Sequence, residues 1–265
     1  MDFGCVSSIN SSNPIFYCNS TGFILPRITP GPHAHPYGNA PAAPHRAPWK
    51  RPIHPMSFLH RATFFTTAAT PANLSFGSVA EVAFVGRSNS GKSSAINTLA
   101  NQKRLAFTSK TPGRTQQINF FCLESEKFLV DLPGYGYAKV QKSEQRRWQA
   151  FLAHYLQTRE PLAGLVLIMD IRHPFTELDR QMLDWFAPRE RPVHVLLTKA
   201  DKLGRQQQSL ALTATQAELG HYGPNYGASV FSSLKKTGIE TVEAVIARWL
   251  GIAVLPKPAM KGSGI

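Results

Sequence analysis

The fold of this chain of 265 residues can be inferred from EVAFVGRSNSGKSS, residues 81–94. An apolar run of strand length leads into a turn rich in Gly and Ser, and helix-forming residues follow. Gly86, Gly91, Lys92 and Ser93 fill the four fixed positions of the phosphate-binding P-loop pattern. Backbone N–H groups of such a loop surround phosphate oxygens, Lys92 can reach the β- and γ-phosphates, and Ser93 can place its hydroxyl on Mg²⁺. The alternative is a turn that merely connects a strand to a helix.

Strands and helices alternate around this loop. Two of the strands, INFFCLE and KFLVDLP, are joined by a short polar turn and form a hairpin. An antiparallel hairpin in an otherwise alternating chain predicts an α/β three-layer sandwich with a mostly parallel six-stranded sheet. The six strands are expected near 81–86, 118–124, 127–133, 164–170, 192–201 and 228–233, and the helices near 92–101, 143–159, 176–187, 206–219 and 238–251.

The charge of the chain indicates an anionic partner. Its formal net charge is +13 and its pI is near 9.9, a balance most often associated with nucleic acid, although a solvated basic surface is the simpler alternative. No apolar run approaches the ~20 residues that span a bilayer, so we expect no membrane partner. The three cysteines lack metal-ligand spacing, which favours a reducing cytoplasm.

Residues 1–55 differ in composition from the rest. They hold ten of the twenty prolines and four of the nine histidines, without helical or strand periodicity. Such proline density removes hydrogen-bond donors, so we predict a disordered extension, followed by a folded domain at 56–255 and a flexible tail at 256–265. Two alternatives stay open: an organellar transit peptide, and translation that begins at Met56.

A second motif is suited to recognising the base of a guanine nucleotide. TKAD, residues 198–201, ends an apolar strand, and Asp201 can accept hydrogen bonds from N1–H and the exocyclic amino group of guanine, a donor pair that adenine lacks. Lys199 would lay its aliphatic stem on the purine. The first position is commonly Asn, which ties the base loop to the P-loop, and the shorter Thr198 is expected to weaken that tie. Asp201 could instead cap a helix. FSSLKKTG, residues 231–238, resembles the loop that places N–H groups near guanine O6.

Two further loops resemble nucleotide-sensing switches. In TSKTPGRTQQINFF, residues 108–121, Thr115 is the candidate second Mg²⁺ ligand because it lies nearest the following strand, with Thr108 and Thr111 as rivals. The alternative is a polar connecting loop. In DLPGYGYA, Asp131 would hold Mg²⁺ and Gly134 would sense the γ-phosphate.

These motifs, in this order, resemble the EngB/YihA/YsxC family of bacterial ribosome-assembly GTPases, within the translation-factor-related P-loop GTPases. The resemblance rests on GRSNSGKSS, SKTPGRTQQINFF, VDLPGYGYAKV, LTKADKL and VFSSLKKTGI, and MSFLHRATFFTTA resembles the beginning of the family. It covers about residues 56–255 and implies a monomeric cytoplasmic G domain with Mg²⁺ and GTP or GDP as ligands. It also implies slow GTP hydrolysis, a role in assembly of the large ribosomal subunit or its rRNA, and a connection with septation and cell division.

The resemblance also implies the site residues. Lys92, Thr115 and Gly134 are the candidate catalytic residues, and Ser93 and Thr115 the Mg²⁺ ligands. The implied nucleotide contacts are Gly86, Arg87, Ser88, Asn89, Ser90, Gly91, Lys92, Ser93, Gly113, Arg114, Thr115, Gln116, Gln117, Asp131, Leu132, Pro133, Gly134, Thr198, Lys199, Ala200, Asp201, Phe231, Ser232 and Ser233.

One catalytic part is missing from these motifs. Many GTPases carry a Gln after the switch Gly to orient the attacking water, whereas this chain carries Tyr135. In other GTPases without that Gln, an Asn at the fourth P-loop position resembles a K⁺ ligand. Asn89 is therefore a candidate K⁺ ligand, and we expect Tyr135 to turn away. The alternative is that Asn89 only braces the loop.

Other classes fit the residues less well. A P-loop kinase or ATPase would lack a guanine-reading Asp, and an RNA-binding module with a vestigial site would have lost phosphate-binding residues. A G domain for tRNA modification or membrane transport usually carries extra domains. The principal alternative is an RNA-binding protein or other P-loop NTPase that acts outside the ribosome.

Overall fold

The computed structural model describes residues 57–107, 117–136 and 142–253, and of 142–145 it describes the backbone only. The predictions for residues 1–55, for a start at Met56 and for the tail at 256–265 lie outside the described residues and stay predictions. No helix in the described ranges is long and apolar enough to cross a membrane.

Within the described residues, seven strands form one sheet in the order β1-β3-β4-β2-β5-β6-β7, and five α-helices flank it. The strands are β1 (Thr63–Ala68), β2 (Ala80–Gly86), β3 (Ile118–Cys122), β4 (Lys127–Asp131), β5 (Leu162–Asp170), β6 (Val193–Thr198) and β7 (Tyr226–Val230). The helices are α1 (Lys92–Leu99), α2 (Lys142–Thr158), α3 (Glu177–Phe186), α4 (Arg205–Gly220) and α5 (Ile239–Leu250).

The structure confirms the α/β class and the single reversed strand. Among the described strands, β3 alone runs opposite to the common direction of the others. It pairs antiparallel with β1 on one side and with β4 on the other. The prediction of six strands was wrong by one, because it left out β1. That strand lies at the edge of the sheet, and a bulge between Phe64 and Thr66 interrupts its alternation, so its sequence lacks a clear period of two.

Apolar cores lie on both faces of the sheet. Along β2, Val82 and Phe84 point into one core and Ala83 and Val85 into the other, as alternate residues of a strand must. The first core also takes side chains from α1 and α5, and the second takes them from α2, α3 and α4. The result is the predicted sandwich of three layers.

The parallel strands bring the motifs to one edge of the sheet. Gly86 ends β2, Asp131 ends the adjacent β4, and Thr198 ends β6, directly opposite Asp170 of β5. In open α/β sheets the loops beyond the carboxyl ends of the strands form the ligand site. The fold therefore gathers residues that are more than a hundred positions apart in the sequence.

Candidate nucleotide-binding site

The P-loop has a backbone that few residue types can adopt. A Cβ on Gly86 would lie 2.7 Å from the carbonyl oxygen of Ile168 and 2.7 Å from Oγ of Ser90, so only glycine fits there. Asn89 and Gly91 both have positive φ, 63° and 102°, in the region that disfavours most side chains. The loop then enters α1, whose amino end presents unpaired N–H groups suited to an anion.

Lys92, the predicted phosphate ligand, forms an ion pair with Asp131 at the end of β4. Both side chains are nearly buried, with exposed fractions of 11% and 6%. A strongly paired Lys is held in place above the loop, and a bound phosphate would compete with Asp131 for its ammonium group. The structure thus joins the P-loop to the first residue of the second switch.

The first switch is described only at its two ends. Oγ of Ser93 donates to the carbonyl oxygen of Phe107 at 3.4 Å, and Gln117 is exposed just before β3. Gly113, Arg114, Thr115 and Gln116, with the rivals Thr108 and Thr111, lie outside the described residues. The assignment of Thr115 to Mg²⁺ therefore stays a prediction.

Gly134 of the second switch lies against the P-loop. A Cβ on Gly134 would be 3.3 Å from the carbonyl oxygen of Gly86 and 3.4 Å from the nitrogen of Ser88. The next residue extends the contact, because the N–H of Tyr135 donates to Gly86 at 3.2 Å and its carbonyl accepts from Ser88 at 2.9 Å. Leu132 continues the pairing with β2 through Phe84 at 2.9 Å. Two backbone segments thus meet where the γ-phosphate is expected.

The side chain of Tyr135 leaves this meeting point for the interior. It is 7% exposed, and its hydroxyl donates to Oδ1 of Asp179 on α3 at 2.6 Å. Burial, with the adjacent Asp179 carboxylate, raises the pKa of Tyr135 well above its ordinary value. Tyr135 is therefore a neutral hydrogen-bond donor in the core, turned away from the P-loop as expected.

The base loop contacts the P-loop through two side chains. The hydroxyl of Thr198 lies within hydrogen-bonding distance of the carbonyl oxygens of Ser90 and Met169, the latter at 3.0 Å. Nζ of Lys199 donates to the carbonyl oxygen of Asn89 at 2.6 Å. The shorter Thr198 thus still makes the tie that is usually made by Asn.

Asp201 is held by the loop after β7. Ser232 donates to its Oδ1 at 2.6 Å, and this hydrogen bond is the main cause that lowers the pKa of Asp201. The N–H of Ala200 donates to the carbonyl of Phe231 at 3.2 Å, so the two loops are also joined through their backbones, beside Ser233. Asp201 lies inside the 3₁₀ turn Ala200–Lys202 and is not the cap of a helix, which removes that alternative.

Asp170, which belongs to none of the sequence motifs, positions Lys199. Oδ2 of Asp170 lies 3.0 Å from Nζ of Lys199, and Arg172 donates to both carboxylate oxygens, at 3.0 and 2.7 Å. The Arg172 guanidinium is the main cause that holds the pKa of Asp170 well below its usual range. Its position at the carboxyl end of a central strand was a signal that could have found it.

The donors fit the expected ligands. The described residues contain no cluster of three or more His, Cys, Asp or Glu side chains that could hold a metal ion by themselves. A Mg²⁺ that accompanies a nucleotide needs few protein ligands, since phosphates and water supply the others, and the hydroxyl of Ser93 is a hard oxygen of the required kind. Among the described residues its hydroxyl makes one hydrogen bond, at 3.4 Å, as a donor, and this leaves its lone pairs available.

Comparisons with known proteins agree with this geometry. The family model described as "50S ribosome-binding GTPase" matches residues 81–199. The chain is 56% identical over 205 residues to a "Probable GTP-binding protein EngB" of Aromatoleum aromaticum, over 77% of this chain and 95% of that protein. It is 57% identical over 196 residues to the protein of the same name from Laribacter hongkongensis, over 73% and 87% respectively.

A solved structure shows the same fold. The crystal structure of a "probable GTP-binding protein engB" superposes with a TM-score of 0.53 at 21% identity, over 65% of this chain and 99% of that one. Sequence identity above one half across nearly the whole of the relatives fixes the family. The chain therefore belongs to the EngB family of GTP-binding proteins and is a GTPase.

Proposed function

We propose that this GTPase is a GTP-operated switch in the assembly of the large ribosomal subunit. The observation that carries the nucleotide part is the contact between the two loops, made by Lys199 with Asn89 and by Thr198 with Ser90. A base-reading loop fastened to a phosphate-binding loop sets the distance between the two halves of one nucleotide. Family membership and the charge of +13 support the ribosomal part.

Each loop has its own task in holding the nucleotide. The N–H groups of residues 86–93 surround the phosphates, and Lys92 moves from Asp131 to the β- and γ-oxygens. Asp201 accepts the two donors of guanine through the carboxylate edge left free by Ser232. The backbone of Ser232 and Ser233 lies beside guanine O6, and Lys199 covers the purine face.

Mg²⁺ belongs to the same proposal, with Ser93 and Thr115 as its protein ligands. When bound, it neutralises charge that develops on the phosphates during hydrolysis. Gly134 offers its N–H where the γ-phosphate would end, and its close approach to Gly86 supports that role. Lys92, Thr115 and Gly134 remain the candidate catalytic residues.

K⁺ is proposed as a substitute for the missing Gln. Asn89 is exposed, and its side-chain amide makes no hydrogen bond within the part of the chain that the structure describes. Its backbone carbonyl accepts from Lys199, and we assign the cation to the side-chain amide oxygen. The alternative role, a brace for the loop, would require a side-chain contact that the described residues do not provide.

The ribosomal partner follows from the family and from charge. The matching family model is described as ribosome-binding, and we propose the large subunit or its rRNA as the partner of a cytoplasmic monomer. If GTP orders the two switches, it arranges the basic residues in and near them for the subunit, and GDP scatters these charges. The basic residues are Lys110 and Arg114 in the first switch, Lys139 and Lys142 after the second, and Arg146 and Arg147 near the start of α2. A link to septation and cell division stays a prediction.

Co-sedimentation tests this function. The full chain is mixed with separated small and large ribosomal subunits in GDP and in a non-hydrolysable GTP analogue. We expect sedimentation with the large subunit in the GTP-analogue state and weaker sedimentation in GDP. Equal sedimentation in both states, or none with either subunit while guanine nucleotides still bind, would contradict the proposal and favour a P-loop NTPase that acts outside the ribosome.

A further inference from the structure

A second concave surface lies at the sheet edge formed by β1. This edge groove has a volume of about 620 Å³ and is lined by residues of two segments, 60–64 and 102–107. The first segment leads into β1, and the second follows α1 and ends where the first switch begins. No residue assigned to the nucleotide lines it, so the groove is a separate site. Pockets of ~300–1,000 Å³ hold organic groups of small-molecule size.

Both walls of the edge groove are fixed by side-chain amides. Nε2 of Gln102 donates to the carbonyl of Ala62 at 2.7 Å and to that of His60 at 3.4 Å. The Asn97 amide makes two bonds to Ala106, accepting from its N–H at 2.7 Å and donating to its carbonyl at 2.8 Å. The walls of the groove are therefore already ordered without a partner. Binding of a partner then has a small entropic cost for ordering them.

Two phenylalanines in the edge groove face solvent. Phe107 is 80% exposed and Phe64 is 58% exposed, although Phe64 also meets the ring of Phe121 edge-on at 6.4 Å. Large aromatic side chains left exposed together mark binding surfaces, because solvation of their rings is unfavourable. Aromatic rings in a groove are surfaces on which planar groups stack.

The charged groups of the edge groove are all basic. Arg61 and Arg104 line it together with His60, and none of its lining residues is acidic. Arg104 is exposed and has no ion-pair partner among the residues that the structure describes. Arg61 pairs with Glu124, outside the groove, at 3.2 Å, and both side chains of that pair are exposed. Exposed pairs are weak, so Arg61 can exchange Glu124 for another anion.

We propose that the edge groove binds an unpaired nucleotide segment of RNA, with a base stacked on Phe64 or Phe107 and phosphates on Arg61 and Arg104. Stacking on aromatic rings with flanking cations is how proteins hold single-stranded RNA. A peptide would need carboxylates to match these guanidinium groups, whereas RNA brings a phosphate with every nucleotide. The inference deepens the proposed ribosomal function and rests on it for the identity of the RNA.

The edge groove is also connected to the nucleotide site. The carbonyl of Phe107 accepts from Oγ of Ser93, the predicted Mg²⁺ ligand, at 3.4 Å. A Mg²⁺ held by a lone pair of Ser93 would leave the hydroxyl proton as the donor to Phe107, so this hydrogen bond would join the metal site to the wall of the groove.

Fluorescence anisotropy with a labelled single-stranded RNA of about 10 nucleotides tests the proposal on the full chain. Phe64→Ala should weaken binding roughly 5- to 150-fold, the effect of losing one stacked base. Arg104→Gln, at an exposed position, should weaken binding and reduce the slope of log affinity against log salt by about 0.7. Glu124→Gln frees Arg61 and should strengthen binding.

Phe65→Ala is the matched control. Phe65 is 51% exposed on the same strand, but its ring packs on the other face of the sheet, 5.4 Å from Phe76 and 5.2 Å from Phe128. It should bind RNA as the wild type does, with folding of each variant checked by circular dichroism. Wild-type affinity of both Phe64→Ala and Arg104→Gln, or equal affinity for a duplex of the same sequence, would overturn the proposal. The proposal would also be overturned if Phe64→Ala no longer bound a purified ribosomal protein but kept its affinity for RNA, because the groove would then be a protein-binding site.

Subunit binding separates this inference from the function on which it rests. If the wild type sediments with large subunits while both variants bind RNA like the wild type, the groove proposal fails and the function stands. If the variants lose RNA affinity while the wild type never sediments with subunits, the function fails and the groove stands. Rates of GTP hydrolysis should match the wild type in Phe64→Ala and Arg104→Gln, because neither residue lies in the nucleotide site.

Discussion

The hydroxyl of Tyr135 donates a 2.6 Å hydrogen bond to Oδ1 of Asp179, and both side chains are buried. The other oxygen of Asp179 caps α3, since it accepts from the N–H and the hydroxyl of Thr176 at 2.9 and 2.7 Å. The backbone of Tyr135 is meanwhile bonded to the P-loop at Gly86 and Ser88. One residue of the second switch therefore connects the phosphate loop with the first turn of α3.

Removal of that hydroxyl should destabilise the fold. Tyr135→Phe leaves a buried carboxylate oxygen without its donor, which costs about 1–3 kcal/mol. Urea unfolding measures the loss. Tyr222→Phe is the matched control, because Tyr222 donates to the exposed Asp184 at 3.0 Å, and its loss should stay within about 0.5 kcal/mol. Equal losses of unfolding free energy in the two variants would show that the buried hydrogen bond stabilises the fold no more than the exposed one.

Turnover should depend on K⁺ through Asn89. We expect faster GTP hydrolysis in K⁺ than in Na⁺, and loss of that difference in Asn89→Ala with GDP affinity kept. Because Asn89 has φ of 63°, Ala there is strained, so Asn89→Gly serves as the unstrained variant that also lacks the amide. Equal wild-type rates in the two salts, alone and with large subunits, would leave Asn89 a structural residue.

Guanine selectivity should rest on Asp201. In Asp201→Asn the hydroxyl of Ser232 keeps the amide oxygen on its side, and the amide nitrogen then faces the donors of guanine. We expect GDP affinity to fall by about 2–4 kcal/mol in calorimetry. Xanthine carries an oxygen where guanine has its amino group, so XDP should bind the variant better than GDP does. Asp184→Asn, on α3, is the control, and an unchanged GDP affinity in Asp201→Asn would refute the assignment.

A buried carboxylate should hold α2 on the sheet. Glu81 is fully buried and accepts from Tyr155 at 2.7 Å and from Arg159 at 2.6 Å. Glu81→Ala leaves the Arg159 charge unpaired and should cost about 3–5 kcal/mol of unfolding free energy. Glu124→Ala breaks the exposed pair with Arg61 and should cost no more than about 1 kcal/mol. Similar urea midpoints for Glu81→Ala and Glu124→Ala would contradict the prediction that the buried carboxylate stabilises the fold more than the exposed one.

Stability should decline in mild acid because of His194. Burial, with a smaller effect of Arg248, lowers the pKa of His194 to about 4 from 6.5. Between those pH values the unfolded chain binds a proton that the folded chain does not, so stability is kept above pH 6.5 and lost as the pH falls towards 4, by up to about 3 kcal/mol. His194→Gln should lose less stability than the wild type between pH 7 and pH 5, whereas His221→Gln, at an exposed position, should behave as the wild type. Identical profiles of stability against pH for the wild type and His194→Gln would contradict the assignment of this loss to His194.

The features of this protein that depend on neighbouring residues could be predicted from the sequence. The P-loop motif, the alternation of strands and helices and the reversed hairpin strand follow from neighbouring residues, because loop geometry and hydrophobic period act over a few positions. Sequence identity with the EngB relatives then fixed the family. The edge strand β1 was not predicted, because its bulge breaks the period of two that is typical of a strand.

Contacts between residues that are distant in the sequence depend on tertiary packing and could not be predicted in this way. The sequence suggested that Thr198 would tie the loops weakly, yet the parallel register places its hydroxyl beside Ser90. Nothing near Tyr135 in the sequence pointed to Asp179, which lies on another helix. Side-chain hydrogen bonds form over about 3 Å, and pairs separated by tens of residues come that close only when packing fixes both of their elements.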